Sequence, residues 1–245
     1  ILEWDSLPVG HIEYVKDELH PDGQMEQKLD FDFFNYSGIH RPVRLYCTPK
    51  NYIEDILVRT TVDGKNGQIH YAVKTNSSEE SIKVYVRDEG NLVVGESEKA
   101  NDTIVVKDAH LWQPGSAYLY MLDIYFGQDH YPLPFGIRTI QLKEKQLLIN
   151  GKPFYFKGFG KHEDSDIRGK GLDDALNVRD CELLSWIGAN SFRTSHYPYA
   201  EEMMQMADRK GLVVIDEVPA VGMNSFNGDF NSIFTEYKVN DKTLE

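Results

Sequence analysis

Three short polar clusters carry most of the side chains in this chain that could do chemistry, and each follows strand-like sequence. The first is His162-Glu163-Asp164 with Asp166; the second is Arg193, Ser195, His196 and Tyr197; the third is Asp216-Glu217. Two imidazoles among carboxylates invite a metal site. A metal, however, needs three or four convergent ligands, and the only histidines near one another in the expected fold are His162 and His196, on different strand ends. We therefore expect no metal. Either both imidazoles reach one pocket and donate to hydroxyls of a polar ligand, or each is a core histidine satisfied by backbone. Asp216 and Glu217 are tempting as an acid and base. Adjacent strand residues point to opposite faces, whereas carboxyl groups working across one glycosidic bond sit about 5–5.5 Å apart for retention or roughly 6.5–9.5 Å apart for inversion. These two are not expected to be a catalytic pair. A fourth candidate is Asp32 in Phe31-Asp-Phe-Phe-Asn-Tyr36, a carboxylate among aromatic rings. It reads either as a solvated strand residue or as a polar group in a ring-lined sugar site.

The elements that must position these groups change character along the chain. Residues 1–49 are rich in aromatic and turn signals, with His20-Pro-Asp-Gly23 as a turn and strand candidates at 28–34 and 41–47. From 50 to 142 short strands follow one another at 53–62, 68–75, 81–88, 91–97, 102–106 and 118–126, separated by Gly- and Asn-rich turns. Lys83, Tyr85 and Arg87 alternate with Ile82, Val84 and Val86, the period of a strand with one buried face. This spacing predicts an immunoglobulin-like β-sandwich with a structural role. Trp112-Gln-Pro-Gly115 reads as a turn with an aromatic anchor.

After residue 142 the pattern becomes alternating. Asn150-Gly151 is a hairpin signal, 155–160 reads as a buried strand, and a helix is expected over 173–187 with Leu176, Leu183, Leu184 and Ile187 on its apolar face. A strand at 191–193, a helix opened by Glu201-Glu202 and closed by Gly211, and an apolar strand at 212–215 complete β–α–β–α–β. This is the opening of a parallel α/β domain, which places chemistry where strands end. The stretch 218–245 has no clean period and reads as a long loop interleaved with aromatic residues.

Composition narrows the function class. Apolar content of 41% and aromatic content of 12% suffice for packed cores, and the net charge of −13 argues against nucleic acid and anionic membranes as partners. No run approaches the ~18 apolar residues of a membrane span. Cys47 and Cys181 are expected as unpaired thiols of a reducing compartment. GxSxG, P-loop and GxGxxG motifs are absent, which removes support for serine-hydrolase and nucleotide chemistry. The chain opens without Met or a signal pattern, so we expect a piece of a longer polypeptide.

The stretch Asn190-Ser-Phe-Arg-Thr-Ser-His-Tyr-Pro198, continuing through Gly211-Leu-Val-Val-Ile215, resembles the signature of glycoside hydrolase family 2. The run from Phe154 to Gly171, with Asp32-Phe-Phe-Asn-Tyr-Ser-Gly-Ile-His-Arg41, Trp112-Gln-Pro-Gly115 and Phe135-Gly-Ile-Arg138, resembles its β-glucuronidase branch, and the likeness covers nearly the whole chain. It implies three parts: residues 1–49 as the end of a jelly-roll sugar-binding domain, 50–142 as the immunoglobulin-like sandwich, and 143–245 as the first part of a (β/α)8 TIM barrel. It implies a retaining enzyme that hydrolyses β-D-glucuronides, needs no cofactor, and works as a bacterial, cytoplasmic homo-oligomer, often a tetramer. By the same resemblance Asp32, His162 and His196 bind the sugar, and Met223, Phe226, Phe230 and Phe234 belong to a loop on the aglycone side. The acid/base glutamate of the family's Asn-Glu pair, its nucleophilic glutamate, and the Asn-x-Lys that reads the uronate carboxylate fall outside this sequence. About three of eight barrel strands and roughly 100 of ~250 barrel residues are represented. The isolated chain is therefore expected to be inactive. Another family 2 glycosidase, acting on galactosides or galacturonides, and a non-catalytic carbohydrate-binding fragment stand as alternatives.

Overall fold

The computed structural model describes residues 10–19, 21–29 and 39–218. Asp32 and the residues Met223, Phe226, Phe230 and Phe234 lie outside the described residues, as does His20.

The first strands, β1 (Gly10–Val15) and β2 (Gln24–Leu29), form an antiparallel hairpin, with Gly10 opposite Leu29. The strand expected at 41–47 does not form. Val43, Leu45 and Tyr46 of that stretch are exposed. Alternating apolar residues make a strand only where a neighbouring ladder accepts their backbone groups, and among the described residues none pairs with this stretch.

Seven strands then build two packed antiparallel sheets. They are β3 (Ile53–Asp63), β4 (Asn66–Thr75), β5 (Ile82–Arg87), β6 (Val93–Ser97), β7 (Asn101–Val106), β8 (Tyr120–Phe126) and β9 (Asp129–Phe135). One sheet runs β3-β4-β7 and the other β6-β5-β8-β9. Every second residue faces inward: Ile69, Tyr71 and Val73 from β4 meet Val84 and Val86 from β5 and Leu122 and Ile124 from β8. Gly64, at φ +61, supplies the left-handed residue of the tight β3–β4 turn. β9 was not foreseen, because Pro132 and Pro134 interrupt its pattern. It occupies the sheet edge, where a missing N–H is tolerated.

A three-stranded connector follows: β10 (Ile140–Lys143), β11 (Gln146–Ile149) and β12 (Lys152–Pro153). Asn150 and Gly151 make the expected turn at φ 51 and 73. The turn before it, Glu144-Lys145 at φ 49 and 66, has no glycine to betray it.

The remainder is the β–α–β–α–β unit: β13 (Gly158–Lys161), α1 (Asp174–Trp186), β14 (Ser191–Thr194), α2 (Glu201–Lys210) and β15 (Val213–Ile215). The strands are parallel, with Gly158 beside Ser191 and Ser191 beside Val213. Asp173 caps α1 by accepting from the Leu176 N–H at 3.1 Å, and Gly211 ends α2 at φ +69. Two expectations need correction. The strand read as buried lies at the sheet edge, with Tyr155, Phe156 and Phe159 exposed. The buried face of α1 is Asn177, Cys181 and Leu184, whereas Leu183 and Ile187 face outward. The helix turns toward α2 and β14, and that contact rather than the widest apolar stripe decides its rotation.

The sandwich and the parallel unit are joined tightly. Trp112, 3% exposed, donates its indole N–H to the Asp208 carbonyl at 2.8 Å, and the Gly115 N–H donates to the Gly211 carbonyl at 2.9 Å. The Arg138 guanidinium lies 5.0 Å from the Trp112 ring centre.

Candidate functional site

The polar clusters meet where the three parallel strands end. β13 leads into His162, Glu163 and Asp164; β14 leads into Ser195, His196 and Tyr197, across a cis Ser195–His196 peptide; β15 leads into Asp216 and Glu217. The His162 and His196 rings sit 5.5 Å apart, nearly perpendicular at 76°, and Tyr197 lies 6.2 Å from His162. The structure thus brings together the two histidines singled out from sequence. Parallel register does this: Lys161 lies beside Thr194, so the loops that follow leave at the same level.

Just beyond β15, Asp216 and Glu217 reach different partners. The Thr194 hydroxyl donates to the Asp216 carboxylate at 3.0 Å and accepts from the Glu217 N–H at 2.8 Å. The Glu217 carboxylate reaches the other way, to Arg193 Nε at 3.1 Å and His196 Nδ1 at 3.6 Å. Arg193 also donates to the Ser195 hydroxyl at 3.2 and 3.3 Å. Gly160 makes room for this arrangement, because a side chain there would collide with Ser195 and crowd Arg193.

Glu163 has a set of contacts that its sequence context did not foretell. Its carboxylate, almost entirely buried, accepts from Arg41 Nη2 at 2.7 Å and from the Ala200 N–H at 2.5 Å, while its own N–H donates to the Tyr197 hydroxyl at 3.2 Å. Arg41 also donates to the Pro198 carbonyl at 3.2 Å. The sequence offers no sign of this pairing, since 122 residues separate the partners.

Behind the site, Lys161 is nearly buried, pairs with Asp180 of α1 at 2.9 Å and lies 5.2 Å from the Tyr199 ring centre. Tyr199 donates to the carbonyls of Lys161 and Ser195. Burial pushes the Tyr197 hydroxyl up to about 12, opposed by the hydrogen bond from the Glu163 N–H, and raises Tyr199 as well. The Lys170 ammonium sits 3.6 Å from the Tyr197 ring centre; burial lowers its pKa against the pull of Asp164 and Glu163. Among the described residues no three His, Cys, Asp or Glu side chains gather in a way that could hold a metal ion. Together the strand ends present two imidazoles, a cation and buried hydroxyls, a set suited to hydrogen-bonding a polyhydroxylated ligand.

Comparison with known proteins gives the same reading of the architecture. Residues 51–138 match the model described as glycosyl hydrolases family 2, and residues 140–245 match that of the family 2 TIM barrel domain. A β-glucuronidase of Paenibacillus borealis is 49% identical over 250 residues, covering 100% of this chain and 42% of that protein. A solved β-glucuronidase from an uncultured Clostridium species is 78% identical with a TM-score of 0.83, over 100% of this chain and 40% of that one. A Ruminococcus gnavus β-glucuronidase in complex with D-glucuronic acid is 39% identical with a TM-score of 0.78, covering 91% of this chain and 39% of that one. The chain therefore spans about two fifths of the length of these relatives.

Proposed function

Because the chain belongs to glycoside hydrolase family 2, we propose that it forms the sugar-facing part of a retaining β-glucuronidase, which hydrolyses β-D-glucuronides to D-glucuronate and an alcohol. The observation that carries this reading is the meeting of His162 and His196, 5.5 Å apart, at the ends of adjacent parallel barrel strands. The relatives named β-glucuronidase support the choice of sugar.

In a retaining reaction one carboxylic acid protonates the leaving oxygen while a carboxylate attacks the anomeric carbon, and water later releases the sugar. The family resemblance puts both glutamates outside this sequence, so the contribution of this chain is binding and orientation. A neutral imidazole donates from one nitrogen and accepts at the other, so His162 and His196 can each hold a sugar hydroxyl, with Asp32 as a further acceptor. Glu217, paired with Arg193 at 3.1 Å, lies 3.6 Å from His196 Nδ1, beside the second imidazole. The loop with Met223, Phe226, Phe230 and Phe234 faces the aglycone in this reading. The division at residues 50 and 143 belongs to the same proposal, supported by family matches at 51–138 and 140–245. So do a homo-oligomeric parent and a bacterial cytoplasmic location, the latter supported by the unpaired thiols of Cys47 and Cys181.

Calorimetric titration of D-glucuronate into the chain and its Asp32→Ala, His162→Ala and His196→Ala forms tests this. Weaker binding in all three variants is expected, with D-galacturonate and D-galactose binding less well than D-glucuronate. Absent or identical binding in all four proteins would reject the pocket. Tighter binding of galactose would move the reading to another family 2 glycosidase.

A further inference from the structure

Helix α2 starts without a side-chain cap of its own: Ala200 stands at its N-cap position and offers none. The Glu163 carboxylate, arriving from the loop after β13, accepts from the N–H of Ala200 itself, the bond that a first-turn Glu makes in a capping box. Its other oxygen accepts from Arg41, which donates in addition to the carbonyl of Pro198. One buried carboxylate thus ties three segments: the irregular stretch around Arg41, the loop that carries His162, and the turn that carries His196 and Tyr197. Glu163 is bonded in sequence to His162, and its N–H holds the Tyr197 ring through the phenol oxygen. Among the described residues Arg41 Nη1 is buried without a hydrogen-bond partner, and Glu163 is the carboxylate that pairs with this guanidinium.

We propose that Glu163 is a positioning residue, which, together with Arg41, sets the separation and orientation of His162 and His196 for the sugar. The sugar part of this inference rests on the β-glucuronidase reading; the coupling of Glu163 to the two imidazoles does not. Glu163 touches no reacting atom in this scheme and acts through its neighbours. Its charge matters as well as its shape. Glu163→Gln keeps an acceptor for the Ala200 N–H but loses the charge against Arg41, whereas Arg41→Met removes the cation and leaves the helix cap in place.

The 245-residue chain with 13C-labelled histidine provides the test. The wild type should give a through-space contact between the His162 and His196 rings, assigned by His162→Ala and His196→Ala. In Glu163→Gln and Arg41→Met, both imidazole resonances should move and that contact should weaken, with the cooperative urea transition retained. A loss of stability with both imidazole signals unchanged would make Glu163 a structural cap only and overturn the proposal. If Glu163→Gln fails to fold, Arg41→Met carries the same test, since the cap survives in it. Glucuronate titration forms a second arm, in which Arg41→Met should weaken binding at least tenfold if the wild type binds. A wild type that binds no glucuronate counts against the sugar reading, while the histidine spectra still decide whether Glu163 positions the rings.

Discussion

The seven-stranded sandwich and the parallel unit beside it bury different kinds of groups. Inside the sandwich Ile69, Val84, Val86, Leu122 and Ile124 are fully enclosed and apolar. Its buried carboxylate, Asp123, is held by Arg87 at 2.7 Å and His130 at 3.0 Å. In the parallel unit the central strand β14 encloses Ser191 and Thr194 alongside Phe192, and Ser195, the residue after it, is buried too. Burying a hydroxyl costs stability unless it is hydrogen-bonded, and each of these three has a partner. A sandwich gains its stability from apolar area and asks little of side-chain geometry. A parallel strand that must deliver groups to a pocket uses buried hydrogen bonds to aim them, and so gains less from each buried residue.

The sharpest way to break this contrast is a cavity in the sandwich. Leu122→Ala should destabilise the chain by roughly 2–5 kcal/mol, read from urea unfolding, with the His162 and His196 resonances unmoved below the transition. A shift of those resonances would mean that the sandwich is not merely a support. Next comes Thr194→Val, which keeps the volume and removes a hydroxyl bonded to both Asp216 and the Glu217 N–H. We expect a loss of about 1–3 kcal/mol and a displaced His196 signal. A cost no larger than that of a surface change would remove polar burial as the organising feature of β14. Trp112→Phe tests the seam, where one N–H donates to the Asp208 carbonyl. It should cost about 0.5–1.5 kcal/mol and begin to separate the unfolding of the two regions, seen as far-UV circular dichroism and tyrosine fluorescence that no longer coincide.

The smallest effect at neutral pH is the most specific. The Tyr197 hydroxyl is raised from 10.0 to about 12 by burial, so the folded state keeps its proton where the unfolded state loses it. The associated stability is fully present below pH 10 and falls as pH rises through about 12. Phenolate absorbance should show late-titrating tyrosines, and Tyr197→Phe should lower their amplitude without abolishing it, since burial raises Tyr199 as well. An unchanged late amplitude in that variant would assign the late protons to other tyrosines.

How far the fold and site were legible differs by residue. Ile82 to Arg87 alternate cleanly, and the strand lies where that period puts it, because one face meets a core and the other water. Glu201-Glu202 and Gly211 likewise mark the two ends of α2 through local backbone chemistry. The exposed stretch 41–47 shows the limit: a similar alternation gave no strand, since pairing depends on a neighbour that local sequence does not specify. β9 shows the reverse, a strand despite two prolines, because its place at the edge excuses the missing donors. The α1 face was misjudged for a related reason, since its rotation follows the contact made by Cys181 and Leu184.

The amino-acid order alone determined which groups are available at each strand end, and it carries the family signature from Asn190 onward. It brought His162 and His196 under suspicion through residue type and position after a strand. Only the tertiary structure decided that their rings lie 5.5 Å apart, that Asp216 and Glu217 serve different partners, and that Glu163 bonds the start of α2 at Ala200 while holding Arg41. Turns, caps and periods are short-range and can be read from neighbours in the chain. A contact across 122 residues depends on how whole elements pack, and no local pattern encodes it.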